Sequence, residues 1–258
     1  MKIIVLMKEV PDTYGERKLD PETGIADRAA SDAVLDEINE RALEFALAHA
    51  DRNPDTEVVV LTMAPDSATA SLRKGLAMGA HSAVHIADPA IVGADYGVTA
   101  EVLSAAITRL GFDLVIAGNQ STDGASGILP AMIAETLDLP QLTNLTEISL
   151  DDSIVRGTRA TDEGVMTVSA ALPAVISVTE ALAEARFPSF KGILAAKKKP
   201  YEMISLSDLN ITIDDLSVPR SILIAVAEKP PRQAGVKVDD QGDAGQLIAE
   251  FLISNLLA

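Results

Sequence analysis

The chain has 258 residues, enough for one large α/β domain or for a domain with an arm. Its net charge of −17 argues against a sequence-independent nucleic-acid binder, and the absence of cysteine excludes disulfides, thiol catalysis and Cys-ligated iron–sulfur clusters. Three histidines (His49, His81 and His85) without a neighbouring carboxylate cluster predict no metal site. No run approaches the roughly 18 apolar residues of a membrane span, and an opening strand without a charged leader predicts a cytoplasmic bacterial protein or a processed protein of an organelle matrix.

The first 140 residues alternate between two patterns. Short apolar runs predict strands at 3–7, 57–62, 82–86 and 114–117. Helix-period segments predict helices at 34–50, 67–78, 98–110 and 128–137. This alternation indicates an α/β fold with a doubly wound, mostly parallel sheet, which binds ligands beyond the carboxyl ends of its strands.

The pattern changes after Pro140. Shorter strands are predicted at 146–150, 154–158 and 166–170, joined by polar turns, and they indicate a small antiparallel addition to the sheet. A buried strand is predicted at 174–178. The nucleotide-binding domain is predicted to cover 1–216, and 217–258 to form a C-terminal arm that ends in a helix over 244–257. Whether the arm packs on another surface or on its own domain is open from composition alone.

Segment 113–124 predicts a strand that runs into a small polar turn and then a helix. The free N–H groups at such a helix start can seat a phosphate. The turn contains no lysine and no Walker pattern, so the expected absence of a cation favours a monophosphate over a triphosphate with magnesium. Gly124 is predicted to need close backbone approach or a positive φ. A capped turn without any ligand remains the alternative.

Segment 186–200 combines turn residues, two phenylalanines and a basic end. Aromatic residues are only 3% of this chain, so Phe187 and Phe190 are predicted to be exposed anchors for a partner's pocket. The lysines at 197–199 are interpreted as a solvated helix end, or as a docking aid against an acidic partner.

Four stretches, in order and across nearly the whole chain, resemble the electron-transfer flavoprotein β subunit family. They are the opening strand with 5–8 and 10–13, the turn 117–123, the segment 186–200 and the stretch 230–238. The family's signature region corresponds to 159–168 and 172–176, with Met166 where the family usually has Glu or Gln.

The resemblance implies a nucleotide α-hydrolase-like fold and a heterodimer, in which an α subunit holds FAD and this subunit holds AMP structurally. It implies an electron carrier without its own substrate turnover, which takes electrons from flavin dehydrogenases such as acyl-CoA dehydrogenases and passes them to a membrane quinone oxidoreductase. The arm 217–258 would pack on the α subunit. The AMP contacts that it implies are Leu6, Asp36, Glu37, Ile38, Asn39, Met63, Gly118, Asn119, Gln120, Ser121, Thr122, Asp123, Gly124, Ala125, Ser126, Gly127, Ile128 and Leu129.

The resemblance also implies a recognition loop over 184–200 and places Tyr14 near the FAD. The implied partner contacts are Arg186, Phe187, Pro188, Ser189, Phe190, Lys191, Gly192, Ile193 and Leu194. Phe190 stands where the family usually has leucine. Two alternatives are a bifurcating type with a second FAD in place of AMP, and a stand-alone adenine-nucleotide-binding protein of a universal-stress-like fold. The second leaves the arm and the two phenylalanines without a purpose.

Overall fold

The computed structural model describes residues 1–16, 18–212, 223–227, 229–231, 234–235, 237 and 239–255. The chain forms two compact units, 1–224 and 225–258. The boundary predicted at 216/217 and the last two residues of the helix predicted at 244–257 lie outside the described residues.

The strands are short and mostly apolar. In chain order they are β1 Lys2–Leu6, β2 Glu9–Pro11, β3 Ala33–Leu35, β4 Glu57–Met63, β5 Ser82–Ile86, β6 Leu114–Gly118, β7 Gln141–Leu145, β8 Glu147–Leu150, β9 Ile154–Thr161, β10 Gly164–Ala171, β11 Ala174–Val178 and β12 Tyr201–Ile204. The helices are α1 Glu37–Arg52, α2 Thr69–Met78, α3 Tyr96–Leu110, α4 Leu129–Thr136, α5 Phe190–Ala196 and α6 Ala244–Ser254.

Within the described residues, seven strands form one parallel sheet in the order β12-β5-β4-β1-β6-β11-β7. Its central strands are apolar on both faces because helices cover both. Residues of α1 and α2 pack with alternate sheet residues such as Ile3 and Val5 in one core cluster. Residues of α3 and α4 pack with Ile4 and Leu6 in the other. The predicted doubly wound, mostly parallel fold is confirmed.

The antiparallel strands differ from the prediction in one respect. Among the described residues, β8, β9 and β10 form a separate sheet and do not extend the parallel one. β9 and β10 pair from Gly164 opposite Thr161 to Ala171 opposite Ile154. The polar turn predicted at 162–164 is therefore confirmed, although Gly164 already belongs to β10. Val155 of β9 packs with Leu145 of β7 in the first core cluster, and the small sheet is thereby attached to the large one.

Some elements were not predicted, and others were predicted with another extent. The strands β7 and β12 and the β2–β3 hairpin are additional. The helix predicted at 34–50 starts at Glu37, because the preceding residues pair with β2 and Asp36 caps the helix. Segment 186–200 contains the helix α5 and is therefore more ordered than the predicted loop.

Candidate functional site

The candidate site is a crevice where β1 and β6 end side by side. β1 leads through α1 to β4 on one side, whereas α3 returns the chain to β6 on the other side. The two strands pair in parallel from Ile3 with Leu114 to Val5 with Ile116, so their carboxyl ends open together. Doubly wound sheets bind ligands at such a switch point.

Asp36 joins two walls of this crevice. Asp36 is only 1% exposed. One of its carboxylate oxygens caps α1 by accepting the N–H of Ile38 at 3.2 Å. The other oxygen accepts the N–H of Thr122 at 2.9 Å. One carboxylate therefore fixes both the start of α1 and the turn after β6.

Asn39 and Gly118 set the separation of the two strand ends. The Asn39 Oδ1 accepts the N–H of Lys8 at 2.8 Å, two residues after the end of β1. A Cβ on Gly118 would lie 2.6 Å from the Asn39 Nδ2 and 3.0 Å from the Ile38 Cγ2. Gly118 is required because α1 passes directly against the end of β6.

A cluster of charges lies at the mouth of the turn. Asp123 accepts from the Lys8 Nζ at 2.7 Å and from an Arg28 nitrogen at 3.1 Å, and Lys8 also donates to the Ser121 hydroxyl at 3.2 Å. Burial alone would raise the pKa of the Asp123 carboxyl, but hydrogen bonds from Lys8 and Ser121, the Lys8 charge and the N–H of Gly124 hold that pKa well below its usual range. The expected absence of a cation at the turn was wrong, since Lys8 and Arg28 come from other segments.

The residues of the turn with positive φ angles differ from the predicted one. Positive φ angles occur at Ala125 (49°) and Gly127 (67°) and not at Gly124. A Cβ on Gly124 would approach the hydroxyls of Tyr96 (2.9 Å) and Ser121 (3.4 Å) and no backbone atom. The prediction for Gly124 was therefore wrong, and Gly127 is the glycine with a backbone requirement.

Several donors and one acceptor of the turn are free. Among the described residues, the N–H groups of 126–129 have no hydrogen-bond acceptor, and no side chain caps the start of α4. The Oδ1 of Asn119 is buried and has no partner, although its backbone N–H donates to Val178 at 2.8 Å. Free N–H groups at a helix start, beside Lys8 and Arg28, make a seat for an anion such as a phosphate.

The remaining predicted nucleotide contacts occupy different environments. Leu6 is buried at the end of β1, and Met63 is half-buried at the end of β4. Glu37 and Gln120 are exposed. Tyr14 is 99% exposed in the β2–β3 connection. The structure thus brings the turn, the start of α1 and the ends of β1 and β6 together, whereas Tyr14 projects into solvent.

Arg186 attaches the first half of segment 184–200 to α1. The Arg186 guanidinium donates to both carboxylate oxygens of Glu44 at 2.7 and 2.9 Å, and it pairs with Asp51 at 2.9 Å. The hydroxyl of Ser189 then caps α5 by accepting the N–H of Gly192 at 3.0 Å. Both side chains have structural partners, which leaves the apolar members of the segment to face outward.

The aromatic pair of this segment is exposed. Phe187 is 95% and Phe190 78% exposed, and Ile193 and Leu194 are about half exposed. A Cβ on Gly192 would clash with the backbone oxygen of Ala77, so α5 lies directly on α2. The predicted exposure of the two phenylalanines is confirmed.

The second half of the segment is attached by Lys199. Its Nζ donates to the carbonyl oxygens of Leu76 at 2.9 Å and Ala80 at 2.6 Å, at the end of α2. Lys199 was predicted to lie at a solvated helix end, and this was wrong because it binds the carbonyl groups of a different helix. Tyr201 follows, and its hydroxyl contacts the buried His85 Nδ1 at 2.8 Å.

Comparison with known proteins agrees with this architecture. The model of the "Electron transfer flavoprotein domain" family matches residues 23–209. A protein of Mycobacterium leprae named "Electron transfer flavoprotein subunit beta" is 47% identical over 98% of this chain and 97% of its own length. The chain belongs to the electron transfer flavoprotein family, as a β subunit.

Two further relatives show the range of the electron transfer flavoprotein family. The β subunit of Megasphaera elsdenii is 32% identical over 100% of this chain and 98% of its own length. A protein of Acetobacterium woodii, named "Caffeyl-CoA reductase-Etf complex subunit CarD", is 36% identical over 82% of this chain and 81% of its own length.

An electron transfer flavoprotein β subunit is an electron carrier and not an enzyme, and it works in a flavin-containing heterodimer with an α subunit. The expectations of an electron-carrier role and of a heterodimer are confirmed at this level. In the part of the chain that the structure describes, no helix is long and apolar enough to cross a membrane.

Lys8 and Arg28 are the members of this β-subunit site that sequence reasoning missed. Lys8 could have been found, since it lies two residues after β1, whose end lines the crevice. Arg28 carries no such signal, because it lies 95 residues before Asp123 and reaches it only through the fold of the β2–β3 connection.

Proposed function

We propose that this β subunit binds AMP in the crevice between β1 and β6, with the phosphate at the start of α4. The observation that carries the proposal is the run of free N–H groups at 126–129, with the cations Lys8 and Arg28 beside the same turn. Asn119 adds a buried, unpartnered oxygen that can accept from the exocyclic amine or a ribose hydroxyl. Lys8 and Arg28 both pair with Asp123, which offsets the charge of that carboxylate in the turn that would hold the phosphate.

The AMP has a structural role in this proposal. Asp36 links the turn to α1, so a nucleotide that contacts both would stiffen the crevice in addition to filling it. The FAD is shared in the heterodimer and is held mainly by the α subunit, with Tyr14 in reach of it. The exposure of Tyr14 supports a contact outside this chain.

The same proposal assigns electron donors and acceptors. Flavin dehydrogenases of the acyl-CoA dehydrogenase type dock on segment 184–200, and electrons leave to a membrane quinone oxidoreductase. Two exposed phenylalanines on a segment that Arg186 and Lys199 hold at both ends support this docking role, because exposed aromatic anchors on a rigid support are typical of interfaces.

The second candidate is the bifurcating type, in which a second FAD replaces AMP. The relative that is named as a subunit of a caffeyl-CoA reductase complex is the observation in its favour. The longer match at 47% identity to a protein named only as a β subunit favours the first candidate. Full-length similarity to β subunits also favours both over a stand-alone nucleotide-binding protein.

The docking part is tested on the co-expressed heterodimer with an acyl-CoA dehydrogenase as electron donor. Phe190→Ala is expected to weaken docking by about 1–3 kcal/mol, seen as a higher apparent KM for the heterodimer, while its FAD content stays unchanged. Val92→Ala, at an exposed apolar residue of another surface, is the matched control. Unchanged transfer in Phe190→Ala would remove this residue from the docking site.

A further inference from the structure

A groove between α2 and α5 has no role in the function proposed so far. Its volume is about 320 Å³, and its apolar lining consists of Ala70, Ala77, Pro188, Ile193 and Ala196. This volume is at the low end of the roughly 300–1,000 Å³ of small-molecule sites, and apart from three cationic side chains the lining is apolar. The groove therefore fits an apolar side chain of another protein better than a cofactor.

The groove is held open by rigid contacts. Gly192 lies against the Ala77 oxygen, and Lys199 binds the carbonyl groups at the end of α2. Arg186 attaches the other end of the segment to Glu44. A preformed groove loses little conformational entropy when a partner binds, which favours docking there.

The charge around the groove contrasts with that of the chain. The chain carries a net charge of −17, yet the stretches 69–78 and 185–201 contain seven Lys and Arg residues and no Asp or Glu. Three of these cations, Arg73, Lys74 and Lys197, line the groove itself. Lys74 pairs with Glu40, whereas no salt bridge joins Arg73 or Lys197 to a carboxylate of the described residues.

The groove is continuous with the exposed phenylalanines. Ile193 and Pro188 line it, and they lie in the same short segment as Phe187 and Phe190. A partner that contacts the two phenylalanines is therefore adjacent to the groove. The surface offers projecting aromatic side chains and, beside them, a concave apolar site with positive charge.

We infer that the groove between α2 and α5 is the second half of the dehydrogenase docking surface, and that it receives an apolar side chain flanked by carboxylates from the dehydrogenase. This inference rests on the proposed docking function of segment 184–200. Phe190 enters the dehydrogenase, the dehydrogenase enters the groove, and the reciprocal contact fixes one orientation.

The test uses the heterodimer with bound FAD and an acyl-CoA dehydrogenase as electron donor. Ala70→Leu fills the groove from an exposed helix position, and we expect about a tenfold rise in the apparent KM for the heterodimer with kcat unchanged. Thr108→Leu, exposed on α3 at the opposite face of the sheet, is the matched control and leaves KM unchanged. Lys197→Glu raises KM at low salt, and its difference from the wild type shrinks as ionic strength increases.

Phe190→Ala is measured in parallel, and it distinguishes the role of the groove from the docking function of segment 184–200. A raised KM in Phe190→Ala with an unchanged KM in Ala70→Leu would overturn the groove inference alone. Unchanged KM in both would also remove the docking function of the segment. If Ala70→Leu instead prevented heterodimer formation or altered the oligomeric state in sizing chromatography, the groove would belong to the α subunit or to a second copy, and the inference would be wrong.

Discussion

Asp36 is the residue on which the geometry of the crevice most depends. Asp36→Ala removes the α1 cap and the bond to Thr122, and we expect a loss of about 1–2 kcal/mol in the free energy of unfolding together with a lower nucleotide content. Asp36→Asn keeps a good cap, but its amide has one oxygen where the carboxylate has two. Its NH₂ group therefore faces either the N–H of Ile38 or the N–H of Thr122, and that N–H loses its acceptor. Asp36→Asn should nevertheless lose less stability than Asp36→Ala in urea unfolding. Equal nucleotide content in all three proteins would show that the link to the turn has no role in binding.

Asp123 makes the stability of the fold depend on pH. Its pKa is lowered in the folded protein, so its ionised form stabilises the fold above the ordinary carboxyl pKa of about 4, and this contribution is lost as the pH falls below that value. Asp123→Asn is expected to cost roughly 1–2 kcal/mol at pH 7 and to flatten the loss of stability below pH 4. Urea unfolding at a series of pH values measures both. If Asp123→Asn lost stability below pH 4 as steeply as the wild type, another group would be responsible for the loss.

Residues whose neighbours in the chain determine their role could be predicted from the sequence. The polar turn after β6 could be located because a strand must end where its apolar run ends. The cations facing that turn could not be located in the same way, since Arg28 and Asp123 meet only through long-range packing. Gly124 was chosen over Gly127 because glycine alone does not report its φ angle.

The helix α5 shows how one element depends on close packing. Gly192→Ala would gain up to about 1 kcal/mol of helix propensity, but the added Cβ would clash with the Ala77 oxygen and push α5 away from α2. We expect faster amide hydrogen exchange over 190–196 and weaker dehydrogenase docking. Gly245→Ala in α6 is the matched control, because a Cβ there meets no atom within 4 Å, and it should be neutral or stabilising. Unchanged exchange in Gly192→Ala would show that α5 is not held by this contact.

Elements were predictable where periodicity was strong. The central strands and the helices on both sheet faces were found because their apolar patterns extend over whole elements. The strands β7 and β12 were missed because each lies at an edge of the sheet, and an edge strand has polar or exposed positions that weaken its pattern. In segment 186–200 only a helix end at the lysines was predicted, because the turn residues Pro188 and Ser189 indicated a loop. Ser189 instead caps α5, so the helix begins at Phe190.

At the scale of the whole molecule, the second unit predicts how the isolated subunit behaves. No residue of α6 is buried, and Leu247, Ile248 and Phe251 are 38%, 59% and 59% exposed at spacings that share one helix face. We expect the subunit without its α partner to self-associate in sizing chromatography, since an exposed apolar face of this kind normally has a partner. Phe251→Lys should reduce this association and also weaken assembly with the α subunit. A monodisperse wild-type monomer would contradict this account of the arm.

We propose that this subunit holds a nucleotide in the crevice between β1 and β6 while the heterodimer carries one shared flavin. The most direct measurement is to purify the co-expressed heterodimer, denature it and quantify the small molecules that are released. We expect one FAD and one AMP per heterodimer. In Gly118→Val, where the new side chain would meet Asn39 and Ile38, we expect AMP to be lost and FAD to be retained. Two FAD molecules and no AMP would move the protein to the bifurcating type, and FAD without any second nucleotide would contradict the proposed site.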